Sequence, residues 1–133
     1  MNDQKHVRPA RLGELEAEIM RIVWDRGEVS VGEVRRALAP RRDSAYTTVM
    51  TVMTRLLGKG LLQRHKEGRA YVYRAAAEQE EVAGSLLSSF VGRLYGASAA
   101  RAIAHLIETE ETVDDAELER LEELIRRRRG LSE

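Results

Sequence analysis

The 133-residue chain contains no cysteine. That excludes disulfides, thiolate metal sites and cysteine nucleophiles together, and it suits a reducing, cytoplasmic setting. No apolar run approaches the ~18 residues needed to cross a bilayer. The opening MNDQKHVRPAR is charged, with no hydrophobic stretch behind it, so no secretory signal is expected. Aromatic residues make up 5%, few with which to line a small-molecule pocket. His6, His65 and His105 are scattered without ligand spacing, so neither metal nor cofactor is expected. There is no P-loop, no GxSxG elbow and no carboxylate pair in a recognisable context, which argues against an enzyme.

Hydrophobic residues account for 43% and charged residues for 33%, values of a folded chain rather than a disordered one. The length suits one domain, or a small domain with an oligomerising tail. A net charge of zero hides an asymmetry. Residues 1–74 hold 15 of the 22 Lys+Arg and 9 of the 22 Asp+Glu, giving +6, and the remaining residues carry −6. A basic half joined to an acidic half suggests nucleic-acid binding at one end, although two solvated surfaces would give the same sums. Arginine (19) far outnumbers lysine (3), as codon usage in a GC-rich genome would also produce.

Leu12, Leu15, Ile19, Ile22 and Val23 recur at helical spacing and predict a helix over about 12–25, ended by Gly27. A one- or two-residue strand at Val29 follows. Ser30 is placed to cap a helix that buries Val31, Val34 and Leu38 and stops at Pro40. A third helix is expected from about Ala45 to Lys59, closed by Gly60. Two β-like runs, Leu61–His65 and Arg69–Arg74, would form a hairpin turning across Lys66-Glu67-Gly68. This is the order of a winged helix-turn-helix. The fold is therefore mainly α with a small β-hairpin: a winged helix over 1–75 and a helical dimerisation domain over 76–133.

The second half reads as three helices, the last capped within Thr112-Val113-Asp114-Asp115 and ending in the run Arg126–Arg129, which complements the helix dipole. Glu122 with Arg126 and Glu123 with Arg127 are spaced as i,i+4 pairs. Leu86, Leu87, Phe90, Leu94, Ile103, Leu106, Leu118, Leu121 and Ile125 are too many apolar residues for so short a segment to hide. A homodimer interface is the economical answer; folding back on the first half is the alternative.

On a helical wheel, Ala45, Val49, Val52, Met53 and Leu56 of the third helix share one arc. Thr47, Thr48, Thr51, Thr54 and Arg55 face the other way, with Met50 at the edge. Threonine is a mediocre helix former, and exposed positions more often carry Glu, Lys or Gln. Four threonines, an arginine and no acid suit a major groove, where hydroxyls meet base edges and methyls meet thymine. Thr47, Thr48, Met50 and Thr51 are the candidate base readers. Arg41, Arg42, Tyr46, Arg55, Lys66 and Arg69 are candidate phosphate contacts, which orient the protein without reading sequence. Trp24, Tyr71 and Tyr73 are expected to pack.

LGELEAEIMRIVW, AYTTVMTVMTRLLGKGLL and EGRAYVYR resemble the penicillinase-repressor family, the BlaI/MecI type. The resemblance extends through LYGASAARAIAHLIE and the acidic, leucine-bearing last helix, and so covers nearly the whole chain. It implies a dimeric transcriptional repressor on double-stranded operator DNA with TACA/TGTA-like half-sites, controlling a β-lactamase or related antibiotic-resistance gene. It also implies relief of repression by cleavage, triggered by a membrane-embedded sensor metalloprotease. A copper-responsive branch of the family carries a cysteine-rich tail, which this chain lacks. Staphylococcal members are cut at an Asn-Phe bond whose counterpart here is His105-Leu106, in a helix whose Leu106 and Ile107 are expected to be buried. A ligand-sensing winged-helix regulator and a winged-helix protein-interaction module are the rival readings.

Overall fold

A computed structural model describes residues 12–130. The charged opening and His6 lie outside these residues. The described part falls into two compact units that divide between Ser89 and Phe90.

In the first unit, α1 spans Glu14–Arg26 and buries Ile19, Met20 and Val23. Gly27 ends it at φ 93°, a conformation that side-chain-bearing residues avoid. Strand β1 is only Glu28–Val29. Ser30 caps α2, Val31–Leu38, accepting from the Glu33 N–H at 3.1 Å, while Glu33 accepts from the Ser30 N–H at 2.8 Å. This reciprocal pair satisfies two N–H groups that the helix start would otherwise orphan. Helix α3, Tyr46–Gly58, buries Val49, Val52, Met53 and Leu56. Ala45, expected on that buried arc, is exposed: it precedes the helix in extended backbone as its N-cap.

Strands β2, Leu62–Glu67, and β3, Ala70–Ala75, make the hairpin. Glu67 pairs with Ala70, so the turn is Gly68-Arg69, one residue beyond the expected position. Gly68 has φ 65° and Arg69 does not share the positive φ, the pattern of a Gly-first two-residue hairpin turn. The sheet order is β1-β3-β2, antiparallel throughout.

The apolar faces of α1, α2 and α3 meet over Val29, Leu61, Leu62 and Tyr73 to form the core. Helix α4, Gln79–Tyr95, adds Val82 to that core and lays Leu86 against it. The winged helix is thus sealed by a helix expected to belong wholly to the tail. Trp24 packs against the same core, and its indole N–H donates to the Ala77 carbonyl at 2.9 Å, pinning the link between β3 and α4.

The second unit holds the end of α4, then α5, Ala99–Thr109, and α6, Asp115–Arg128. Ser98 caps α5. Asp114, rather than Thr112, caps α6 by accepting from the Glu117 N–H at 3.0 Å, since a carboxylate is an equally good cap and stands closer to the first turn. Of the two expected ion pairs on α6, Glu123–Arg127 forms at 3.7 Å. Among the described residues of this unit, Ala102 is the one buried apolar side chain.

Candidate nucleic-acid interface

Helix α3 carries its exposed face because the other side is taken by the core. Thr47, Thr48, Met50, Thr51, Thr54 and Arg55 are exposed, and no acidic residue stands in the first turn. The Thr54 hydroxyl donates to the Met50 carbonyl at 2.9 Å, one helical turn back, so it is already engaged. Tyr46, the first residue of the helix, is also exposed.

The basic residues nearby divide into those held by the protein and those that project. Arg42 grips Glu18 of α1 through two hydrogen bonds, 3.1 Å from Nε and 2.9 Å from Nη2. The Arg42 hydrogen bond, with the charges of Arg42, Arg41 and Arg21, holds the Glu18 carboxyl below its usual range against the opposing effect of desolvation. Arg41 is exposed. Arg35 donates from Nε to the Ser44 carbonyl at 3.0 Å, fixing the loop that enters α3.

Glu16 of α1 is the one buried charged residue among those described. Its carboxylate accepts from the Gly13 N–H at 2.8 Å and from Lys59 at 2.9 and 3.0 Å, with Arg55 at 3.9 Å. Burial alone would raise its pKa. The Gly13 and Lys59 hydrogen bonds and the Lys59 and Arg55 charges outweigh that and hold it below 4.5. This cluster ties the start of α1 to the end of α3 and partly engages Arg55, whose side chain is still 54% exposed.

On the hairpin, Lys66 and Arg69 are exposed. Arg64 was not singled out from the sequence, yet it lies over the Tyr71 ring, 4.0 Å from the centroid, and its Nη1 donates to the Tyr73 hydroxyl at 3.2 Å. Lys66 stands 5.7 Å from the same Tyr71 ring. Tyr73 packs in the core as expected; Tyr71 does not, and is covered by cations instead. The β2–β3 register explains the arrangement, pairing Arg64 with Tyr73 and Lys66 with Tyr71 on one face. Alternation along the two strands could have revealed it.

The other set of expected residues is apolar. Leu87, Phe90, Leu94, Ile103, Leu106 and Ile125 are exposed, and Leu118 and Leu121 are half-buried. Leu86 stands apart from this set, being packed against the first unit's core. His105 is exposed, and Leu106 and Ile107, expected to be buried, are 47% and 38% exposed. Among the described residues of the second unit, none covers these side chains.

The penicillinase repressor family model matches residues 12–127. The transcriptional regulator BlaI of Mycobacterium tuberculosis is 39% identical over 100 residues, covering 74% of this chain and 72% of that protein. The penicillinase repressor of Bacillus licheniformis is 26% identical over 101 residues, 76% of this chain and 79% of its own. Among solved structures, the chain is similar to the monomeric form of Bacillus licheniformis BlaI in complex with the blaP half-operator. That similarity has a TM-score of 0.48 at 28% identity, over 56% of this chain and 90% of that one.

Proposed function

The chain belongs to the penicillinase repressor family, and from that premise we propose how it reads and releases its operator. It is a transcriptional repressor that binds operator DNA and performs no catalysis. No described helix is long and apolar enough to cross a membrane, and the protein acts on DNA in the cytoplasm. The observation that carries the reading is the exposed, acid-free face of α3 on a unit with a net basic charge. Thr47, Thr48, Met50 and Thr51 meet base edges, while Tyr46, Arg41, Arg55, Lys66 and Arg69 hold the phosphates. Arg42 joins them only by releasing Glu18.

Residues 1–75 supply the DNA-binding surface. The means of dimerising lies within residues 76–133, past the start of α4, whose Val82 and Leu86 pack with the first unit's core. Support for a homodimer comes from the uncovered apolar side chains of α4, α5 and α6, which a second copy would bury. Two copies match a dyad operator with TACA/TGTA-like half-sites, in the promoter of a β-lactamase or related resistance gene. Release follows cleavage near His105-Leu106 by a membrane-embedded sensor metalloprotease, which separates α6 from the rest and so weakens the dimer.

The test is an equilibrium competition between a TACA/TGTA dyad and scrambled DNA of equal length, at fixed salt. We expect a preference of about 10³-fold or more for the dyad. Equal affinity for both would reject sequence reading by this surface.

A further inference from the structure

One surface of the sheet gathers Glu28, His65 and Glu67, on strands other than the helix that carries the threonines. One ligand atom from each lies within 4.8 Å of the others. Glu28 comes from the short edge strand β1, while His65 and Glu67 stand two residues apart on β2 and therefore share a face. Between them runs β3, which places Arg74 opposite Glu28 and Val72 opposite His65. All three candidate ligands are exposed, and the His65 Nε2 and Glu67 Oε2 atoms are already 3.0 Å apart.

We propose that Glu28, His65 and Glu67 form a binding site for a zinc-type divalent cation on the wing sheet. Zinc accepts imidazole nitrogen and carboxylate oxygen at about 2.0–2.2 Å. Ligand atoms around such an ion stand roughly 3–3.5 Å apart, so two long, solvent-exposed Glu side chains close the remaining gap by rotamer adjustment. The imidazole distinguishes the site from an all-oxygen magnesium or calcium cage. The lack of any cysteine in the chain removes the soft thiolate chemistry that favours Cu(I). Three protein ligands leave a fourth position to water.

Arg74 is the opposing feature. It stands on β3 between the ligands in register and makes no ion pair with either carboxylate, so its charge is a repulsion that the ion must overcome. An ion held by β1 and β2 together fastens both outer strands of the sheet across β3. It binds the folded state and not the unfolded one, and so stabilises the first unit by mass action. The site owes nothing to operator reading, and its failure or success leaves that reading unchanged.

The experiment uses the full chain and the metal alone. Zinc is titrated by calorimetry, cobalt is followed by its visible absorption, and thermal unfolding is recorded with and without zinc. We expect one ion per chain, a Tm raised by zinc, and a cobalt spectrum showing nitrogen–oxygen ligation. His65→Ala and Glu28→Gln, both at exposed positions, should each weaken binding by roughly tenfold or more. Arg74→Ala should tighten it, and His105→Ala, in the other unit, should leave it unchanged. Absence of saturable binding at millimolar zinc overturns the proposal. So does wild-type affinity in either ligand variant.

Discussion

Thr51 lies in the second turn of α3, exposed beside Thr47 and Thr48, and the base-reading role proposed for it makes a measurable demand. Thr51→Ala should cost about 1–3 kcal/mol on operator DNA and little on random DNA. Equal losses in the two titrations would make Thr51 a general contact. The basic residues allow a sharper contrast, because the protein uses some of them itself. Lys66→Ala and Arg69→Ala should each reduce the slope of log K against log salt by about 1. Arg42→Ala should reduce it less, since that guanidinium is committed to Glu18 at 2.9 Å. A larger slope change for Arg42 than for Lys66 would show that the Glu18 pair opens on DNA. Which residues faced outward on α3 was readable from 3.6-residue periodicity. Which arginine was occupied was not, because Glu18 and Arg42 lie 24 positions apart.

At the scale of elements, α1 and α3 are joined by a buried carboxylate as well as by apolar packing. Glu16 is depressed below 4.5 in the folded chain, with burial opposing and Gly13, Lys59 and Arg55 prevailing. A depressed carboxylate contributes its stability above the unfolded pKa and loses it as pH falls through the folded pKa. Glu16→Gln keeps an acceptor for the Gly13 N–H but removes the charge facing Lys59, so it should destabilise the fold by about 1–3 kcal/mol at pH 7. The gap between wild type and variant should be full above pH 4.5 and shrink below it. Denaturant titrations at pH 7 and pH 3 check this, and a gap of constant size would mean that packing, not charge, is what the substitution disturbs.

The helices and the hairpin were legible because each carries its own local signal: a capping Ser30, a closing Gly27, a turn glycine at 68. Three features were not. The hairpin turn falls one residue later than the glycine suggested, because strand register decides it. Tyr71 and Tyr73 share a strand face but not an environment, since the core ends between them. Glu28 and His65 meet only through the sheet, so a search for histidine spacing could not bring them together.

For the whole molecule, the position of α4 changes where the chain can be cut. Val82 and Leu86 belong to the core of the first unit, and Trp24 bonds to Ala77. A fragment ending at Arg74 loses all three, whereas one ending at Ser89 keeps them and should fold as a monomer. The uncovered Phe90, Leu94, Ile103, Leu106 and Ile125 lie beyond that point. If two chains couple through them, as proposed, the second half-site contact becomes intramolecular, worth about 10²–10⁴ in affinity without any new contact to DNA. The proposed cleavage at His105-Leu106 would act on the same coupling and leave intact the exposed face of α3 proposed to read DNA. The decisive comparison is the affinity and stoichiometry of the full chain and of fragment 1–89 on one labelled dyad operator, with sedimentation to count chains per DNA. Two full-length chains should bind as a unit, and the fragment should bind more weakly by about 10²-fold or more. A fragment that binds the dyad as tightly as the full chain, or a full chain that remains monomeric on it, would contradict repression by a linked dimer.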